Sequence, residues 1–204
     1  MKSRTLSVWA GVSYLIIFFA AIFANFFVIE AILQNPLPTI QEDHLMVRWG
    51  IMAFIITVVF DVVVAWALYE LYKTHALSAL SMLFRMMHAA IMAVAVFALV
   101  ETLTLSTGEE ILNQVNTFNT IWLIGLFFFG FHLILLGKIM THPKWITWFL
   151  MLAGCMYAID TTAHFVLLDY QQYASVFLAL VAIPSIVGEM SLAVWLLTKG
   201  AKSS

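Results

Sequence analysis

Charged side chains are scarce in this sequence. Asp, Glu, Lys and Arg make up 10% of its 204 residues, whereas 64% of the residues are hydrophobic. An average soluble domain has about 25% charged and 45–50% apolar residues. A water-soluble globule of this length could not bury so much apolar surface. The composition therefore excludes a soluble enzyme and a disordered chain, and it favours an integral membrane protein.

The low numbers of basic residues and of cysteines exclude two further classes of protein. Nine Lys and Arg residues stand against eleven Asp and Glu residues, which leaves no basic surface for nucleic acid. Cys155 is the single cysteine, so the chain contains no disulfide framework. We therefore expect the lipid bilayer as the principal partner and no nucleic acid. A small-molecule ligand, a membrane partner protein and a second copy of the chain remain open as further partners.

Long apolar runs fill most of the chain. A membrane-crossing helix needs roughly 20 apolar residues, and these runs do not alternate polar with apolar residues as barrel strands do. The sequence therefore predicts an all-α bundle of six transmembrane helices, forming a single domain over residues 1–204. The predicted spans cover residues 7–33, 50–72, 77–105, 115–140, 145–168 and 174–198. Pro36 and Pro38 are expected to end the first helix, and residues 34–49 are expected to form the longest loop.

Basic residues are distributed unevenly over the predicted loops. With six spans, both termini and the second and fourth loops share one side of the membrane, and the opposite side holds only Arg48. The basic residues on the shared side are Lys2, Arg4, Lys73, Lys138, Lys144, Lys199 and Lys202. Because basic residues mark the cytoplasmic side, the sequence predicts cytoplasmic N- and C-termini.

Five polar side chains lie at similar depths inside the predicted spans. At a rise of about 1.5 Å per residue, they fall within about one helical turn near the middle of the bilayer. They are Asp61, Arg85, His88, His132 and Glu189. A charge at that depth costs about 2.5–3.5 kcal/mol, so these groups are expected to face the bundle interior. Arg85 keeps its charge, and we therefore expect it to pair with Asp61 or Glu189.

Three more ionisable residues lie closer to the outer surface. Asp160 is grouped with the same pocket, although it lies roughly 22 Å from the cytoplasmic ends of the helices. The sequence leaves open whether it joins that pocket or forms an outer site with His164 and Glu101. Asp160 shares a helix face with His164, four residues further on. Glu101 and His164 are assigned to a secondary outer site. Pro184 precedes the pocket residue Glu189 by five residues and is expected to kink the last span beside the pocket.

Three functions are compatible with such a pocket. The first is binding, translocating or sensing a small polar or amphiphilic molecule or protons, for which intramembrane ionisable residues are typical. The second is an intramembrane enzyme. No cofactor is predicted for the first function, whereas this enzyme would use zinc or haem. Its alternative metal ligands would be His88, His132, His164 and Asp160. The third is a structural or regulatory membrane subunit, in which the polar groups only fix helix packing. Catalytic residues remain unassigned.

Four stretches of the sequence carry a family resemblance. They begin at Leu83-Phe-Arg85 and continue with residues 129–137, around Gly130 and His132, then residues 154–160, which end at Asp160, and residues 184–200, which contain Gly188-Glu189. On these stretches the chain resembles a bacterial membrane family known only as domain of unknown function 4386. The resemblance covers nearly the whole chain. It implies a multi-pass protein of the bacterial cytoplasmic (inner) membrane and supplies no activity.

Overall fold

The computed structural model describes residues 2–200, and all regular structure in this range is helical. Seven helices follow one another: α1 Ser3–Gln34, α2 Pro36–Glu42, α3 His44–Tyr72, α4 Ser78–Glu101, α5 Gly108–Ile139, α6 Lys144–Val166 and α7 Tyr170–Thr198. All except α2 are long and apolar enough to cross a membrane. The predicted all-α bundle with six spans is therefore confirmed. The cytoplasmic position of the termini stays a prediction, and Lys202, which contributed to it, lies outside the described residues.

The segment predicted as the longest loop is mostly helical, which corrects that prediction. Helix α2 occupies Pro36–Glu42, and α3 begins at His44, six residues before the predicted span. Pro36 stands at the start of α2, where its missing N–H is not needed by the helix. The same proline that ends α1 therefore begins the next helix. The Thr39 hydroxyl donates to the carbonyl of Ala31 at 3.1 Å and ties α2 back to α1.

Helix α5 also begins earlier than predicted, at Gly108 instead of residue 115. Thr107 precedes it, and its hydroxyl accepts a hydrogen bond from the backbone N–H of Glu110 at 3.3 Å. The same hydroxyl donates to the Glu110 carboxylate at 2.7 Å. Thr and Glu three residues apart form a helix-start signal that holds the first turn in place. Helix α5 is therefore longer than its apolar part, because it begins with a polar first turn.

The six long helices form a closed ring. Each packs against the long helix before it and the one after it, and α1 returns to α7. Helices α5 and α6 approach closely because both carry glycine at the contact: a Cβ atom on Gly130 would lie 2.6 Å from the carbonyl oxygen of Gly154. At the start of α1, Arg4 donates to the carbonyl oxygens of Leu196, at 2.9 Å, and of Leu197. These bonds satisfy carbonyls that the end of α7 leaves unpaired.

The interior of the ring is divided into two apolar clusters at opposite ends. One cluster contains Phe54 and Met92, and the other contains Val64 and Phe129. Asp61 follows Phe54 by seven residues and precedes Val64 by three, so it lies between the two clusters. The helices thus hold a polar layer near their middle, with apolar packing on both sides of it.

Candidate functional site

Arg85 is the centre of this polar layer, and only 1% of its surface is exposed. Its Nη2 donates to Asp61 Oδ1 at 2.6 Å, and its Nη1 donates to the hydroxyl of Tyr14 at 2.8 Å. The guanidinium carbon lies 4.8 Å from the Tyr14 ring centroid and 5.1 Å from that of Phe129. A short charge-assisted hydrogen bond and two aromatic faces therefore stabilise the buried cation. The prediction that Arg85 pairs with an acid at its own depth is confirmed for Asp61.

His132 completes the contacts of Arg85 and must be neutral there. Its Nε2 lies 3.2 Å from Arg85 Nη1, which can only donate, so Nε2 carries no proton. Its Nδ1 lies 3.0 Å from the carbonyl oxygen of Ser81, which can only accept, so the proton is on Nδ1. The Ser81 hydroxyl in turn contacts the carbonyl of His132 at 3.3 Å. His132 therefore links α5 to α4 through hydrogen bonds on both sides of its ring.

His88 lies beside the ion pair without joining it by a hydrogen bond. Its Nε2 is 3.7 Å from Asp61 Oδ2, which is too long for a hydrogen bond, and its ring packs 4.9 Å from the Phe129 ring. Nδ1 of His88 and Nε of Arg85 are buried without a partner within the described residues. Buried unpaired polar atoms are uncommon in proteins. The chain's own groups thus leave this cluster incompletely satisfied.

A cavity of about 650 Å³ opens beside the ion pair, between α1 and α7. We call it the lateral cavity. Asp61, Arg85, His88 and Glu189 form the charged part of its wall. The rest of the wall is mostly apolar and aromatic, and includes Ile17, Phe18, Ile22, Phe26, Phe54, Met92, Trp122, Leu126, Phe129, Leu178, Val181, Ala182, Ile186 and Met190. This volume lies within the range of about 300–1,000 Å³ that small-molecule sites occupy.

Each of the two helices that flank the lateral cavity has a local feature beside it, a π-helical segment in α1 and a proline in α7. Helix α1 changes to π-helical winding over Phe23–Ile29, and the Asn25 side chain donates to the carbonyl of Ala21 at 2.9 Å within this segment. Across the cavity, Pro184 lies inside α7, where it removes a backbone hydrogen bond and crowds the preceding turn. The Ser185 hydroxyl donates to the carbonyl of Val181 at 2.8 Å. Helices α1 and α7 contact each other where Arg4 binds the end of α7. Further along, the lateral cavity lies between the segments that carry these two features.

The mouth of the lateral cavity lies on the side of the bundle. Phe26 on α1 and Leu178 and Ile186 on α7 belong to the wall and are also exposed, Phe26 to 73%. Both helices are long and apolar enough to span a membrane. The cavity therefore opens sideways, between two membrane-capable helices.

Glu189 is on this wall and is the one acid there without a cationic partner in the described part of the chain. No Lys, Arg or His nitrogen of residues 2–200 lies within 4.0 Å of its carboxyl group, whereas Asp61 is paired with Arg85. Arg85, Tyr14 and Tyr157 are near enough to interact with its charge. Glu189 is therefore close to the ion pair and separate from it.

Asp160 does not line the lateral cavity, which favours the outer site over the pocket among the two groupings that the sequence left open. The hydroxyl of Tyr170 donates to Asp160 Oδ1 at 2.7 Å, and the Tyr170 ring lies 4.5 Å from the ring of His164. Tyr170 is the first residue of α7, so it reaches both side chains on α6. Glu101 is partly exposed at the end of α4 and has no ion pair with His164 among residues 2–200. The outer cluster therefore consists of Asp160, His164 and Tyr170.

The four alternative metal ligands do not come together. His88 and His132 lie at the Arg85 centre, whereas Asp160 and His164 lie in the outer cluster. Across the described range, no group of three or more His, Cys, Asp or Glu side chains has a metal-binding arrangement. Both ring nitrogens of His132 already have hydrogen-bond partners. The four residues are therefore not arranged as one zinc site in the described part of the chain, and the haem alternative stays a prediction.

Sequence reasoning missed three contributors to these clusters. Tyr14 hydrogen-bonds Arg85, Ser81 holds His132, and Tyr170 holds Asp160. Each is a hydroxyl in an apolar setting, and buried tyrosine hydroxyls usually have a partner. For Ser81 a second signal was available, because it precedes Arg85 by four residues and so shares its helix face.

Six membrane-capable helices closed around a buried Arg–Asp pair define a multi-pass helical membrane protein with an intramembrane charge cluster. The chain belongs to the family described as Domain of unknown function (DUF4386), whose model matches residues 9–200. It is 30% identical over 162 residues to an uncharacterized protein of Archaeoglobus fulgidus, an alignment that covers 76% of this chain and 86% of that protein. No solved structure matches the chain. The family resemblance is thus confirmed, while a bacterial source stays a prediction.

Proposed function

We propose that this protein binds a small amphiphilic molecule that enters the lateral cavity from the bilayer, as a transporter or a membrane sensor does. The observation that carries the proposal is the composition of the cavity wall. Apolar and aromatic side chains surround most of the space, and the charged residues lie together on one part of it. An amphiphile has the same division between an apolar chain and a polar end.

The polar part of the wall would supply the selectivity. A lipid tail is as apolar as the cavity wall, so moving an alkyl chain from the bilayer into the cavity gains little free energy. A polar head group, in contrast, gains hydrogen-bonding partners that the hydrocarbon region lacks. We therefore expect the head group to lie near Glu189 and the ion pair, with the chain directed towards the mouth at Phe26 and Leu178.

A structural role for the ion pair is compatible with this proposal. Tyr14, Asp61, Arg85 and His132 come from four different helices and join them through one guanidinium group. That network alone accounts for helix packing, but it does not account for a neighbouring space of about 650 Å³. The two roles are therefore separable by variants that fill the cavity and leave the network intact.

We further propose the cytoplasmic membrane as the location, with both termini on the cytoplasmic side. Seven basic residues against one in the predicted loops support this orientation.

Photolabelling in phosphatidylcholine nanodiscs tests the binding proposal. The probe is a dodecanol analogue with a diazirine in its chain, and labelled peptides are identified by mass spectrometry. We expect labelling of α1 and α7 around the cavity that excess dodecanol displaces. Ala182→Phe should fill the cavity and abolish this saturable labelling, whereas Leu180→Phe, on an exposed part of the same helix, should leave it unchanged.

The contrary outcome is equally clear. Labelling that is spread over all lipid-facing surfaces, or that excess dodecanol does not displace, would refute a ligand site. A second copy of the chain covering the mouth would also refute it, and would appear as a stable dimer in which the mouth is not labelled.

A further inference from the structure

We propose that the ligand of the lateral cavity carries a positively charged nitrogen, and that Glu189 is its counter-ion. This inference rests on the proposed function and names the chemical class of the ligand. Its basis is the arrangement of charges around the cavity, which leaves one acid without a partner.

Arg85 is poorly placed to hold an anionic ligand, because Nε, its one nitrogen without a partner, is fully buried. Its Nη2 is committed to Asp61 at 2.6 Å, and its Nη1 contacts both the Tyr14 hydroxyl and His132. An anion that displaced Asp61 would leave a carboxylate that is only 4% exposed without a cation. Removing one partner of a buried ion pair is strongly unfavourable. The cation most suited to an anionic head group is therefore already neutralised within the protein.

The histidines on this side of the bundle do not balance Glu189. His132 is neutral because its Nε2 accepts from Arg85. The carboxylate nearest to His88 is that of Asp61, at 3.7 Å from Nε2, and His88 forms no ion pair with Glu189 among residues 2–200. Asp61 and Arg85 cancel each other, so Glu189 is the acid on the cavity wall whose carboxylate is left for a cation of the ligand. A cationic head group complements that carboxylate.

Aromatic rings extend the same preference over the wall of the cavity. Trp122 lines the cavity, and edge-to-face contacts with Phe54 and Phe118 hold its ring in place. The ring centroids are 5.6 Å apart for Phe54 and 5.2 Å apart for Phe118. Tryptophan gives the strongest cation–π interaction of the aromatic side chains. Tyr157 also lines the cavity. Aromatic side chains and one unpaired carboxylate therefore line the same cavity, a combination typical of sites for organic cations.

A competition experiment with the dodecanol photoprobe separates this inference from the proposed function. Three competitors share one chain length and differ in charge: dodecyltrimethylammonium, dodecanol and dodecanoate. Phosphatidylcholine nanodiscs carry no net surface charge that would concentrate any of them. We expect dodecyltrimethylammonium to displace the probe at about tenfold lower concentration than dodecanol, and dodecanoate to be the weakest competitor.

The variants assign the preference to one residue. Glu189→Gln should remove the advantage of the cation while dodecanol still displaces the probe, which also shows that the variant is folded. Glu189→Asp should retain the advantage. Glu101→Gln, at the end of α4 and outside the lateral cavity, is the matched control and should behave like the wild type.

Each other result has one meaning. Saturable labelling that dodecanoate displaces best, or a cation preference that survives Glu189→Gln, would overturn the inference and leave the proposed function standing. The absence of displaceable labelling with all three competitors would overturn both.

Discussion

The buried ion pair gives the sharpest stability prediction. Asp61→Asn keeps the shape of the side chain but leaves Arg85 charged, 1% exposed and without a carboxylate. Removing one partner of a buried pair costs about 3–5 kcal/mol, and the cost for an unpaired charge at mid-bilayer, about 2.5–3.5 kcal/mol, agrees with that range. We therefore expect Asp61→Asn to lower the free energy of unfolding by about 3–5 kcal/mol.

Replacing the other partner of the ion pair should lower the free energy of unfolding by a smaller amount. In Arg85→Gln the remaining Asp61 can become neutral by taking up a proton, whereas a guanidinium cannot lose its charge. We expect this variant to lose about 1–3 kcal/mol, the cost of leaving a buried polar group poorly satisfied. The double variant should be about as stable as Arg85→Gln alone, because no uncompensated charge remains. The double-mutant cycle should then give a coupling equal in size to the cost of Asp61→Asn alone, about 3–5 kcal/mol.

Unfolding by dodecyl sulfate in mixed micelles, followed by circular dichroism, measures these differences. A thiol-reactive dye is unsuitable because the single cysteine, Cys155, is exposed in the folded protein. The exposed pair Glu70–Lys73, with 3.2 Å between its charged atoms, is the matched control. Its Glu70→Gln variant should cost less than about 1 kcal/mol. Additive costs for Asp61→Asn and Arg85→Gln would refute the argument that the two charges depend on each other.

Three further predictions concern other parts of the molecule. Gly130→Ala should destabilise the bundle by about 1–3 kcal/mol, because the added Cβ would lie 2.6 Å from a backbone oxygen of α6. The dodecyl sulfate titration measures this loss of stability. The control is Gly108→Ala, whose added Cβ contacts only Pro36, and an equal or larger cost for the control would contradict the prediction. Arg4→Ala should speed amide hydrogen exchange in residues 196–200 and leave α4 unaffected, since it removes the bonds to the last carbonyls of α7; unchanged exchange there would contradict the assigned cap. A reporter fused to the C-terminus should be active as a fluorescent protein and inactive as alkaline phosphatase, and the opposite pattern would refute the proposed orientation.

The architecture was predictable because it depends on length and composition. Apolar runs of more than 20 residues leave few alternatives to membrane helices, and each of the six predicted spans corresponds to one long helix, although several helices begin earlier than predicted. The short helix at Pro36 was not foreseen, because proline ends one helix and begins another with equal ease. Element boundaries therefore depended on local hydrogen bonds, such as those of Thr107, that hydropathy does not report.

The site was predictable in part, for a reason that Asp160 illustrates. Depth along a helix places residues in layers, and this was sufficient to name Asp61 and Glu189 as the candidate partners of Arg85, of which the structure shows Asp61. Depth does not say which side of a layer a residue faces. Asp160 was therefore grouped with the pocket, whereas the structure pairs it with Tyr170. The neutral state of His132 could not be predicted from the sequence either. It follows from the contacts of the two ring nitrogens, one with a donor on Arg85 and the other with the carbonyl oxygen of Ser81.

The place of the ion pair along the chain has a consequence for how the protein is made. Asp61 and Arg85 lie on α3 and α4, which a short turn connects, so the two charges leave the ribosome one after the other. This hairpin can enter the bilayer with its opposite charges already matched, before α5, α6 and α7 have been synthesised. The later helices then assemble around a core that is electrically neutral from the start.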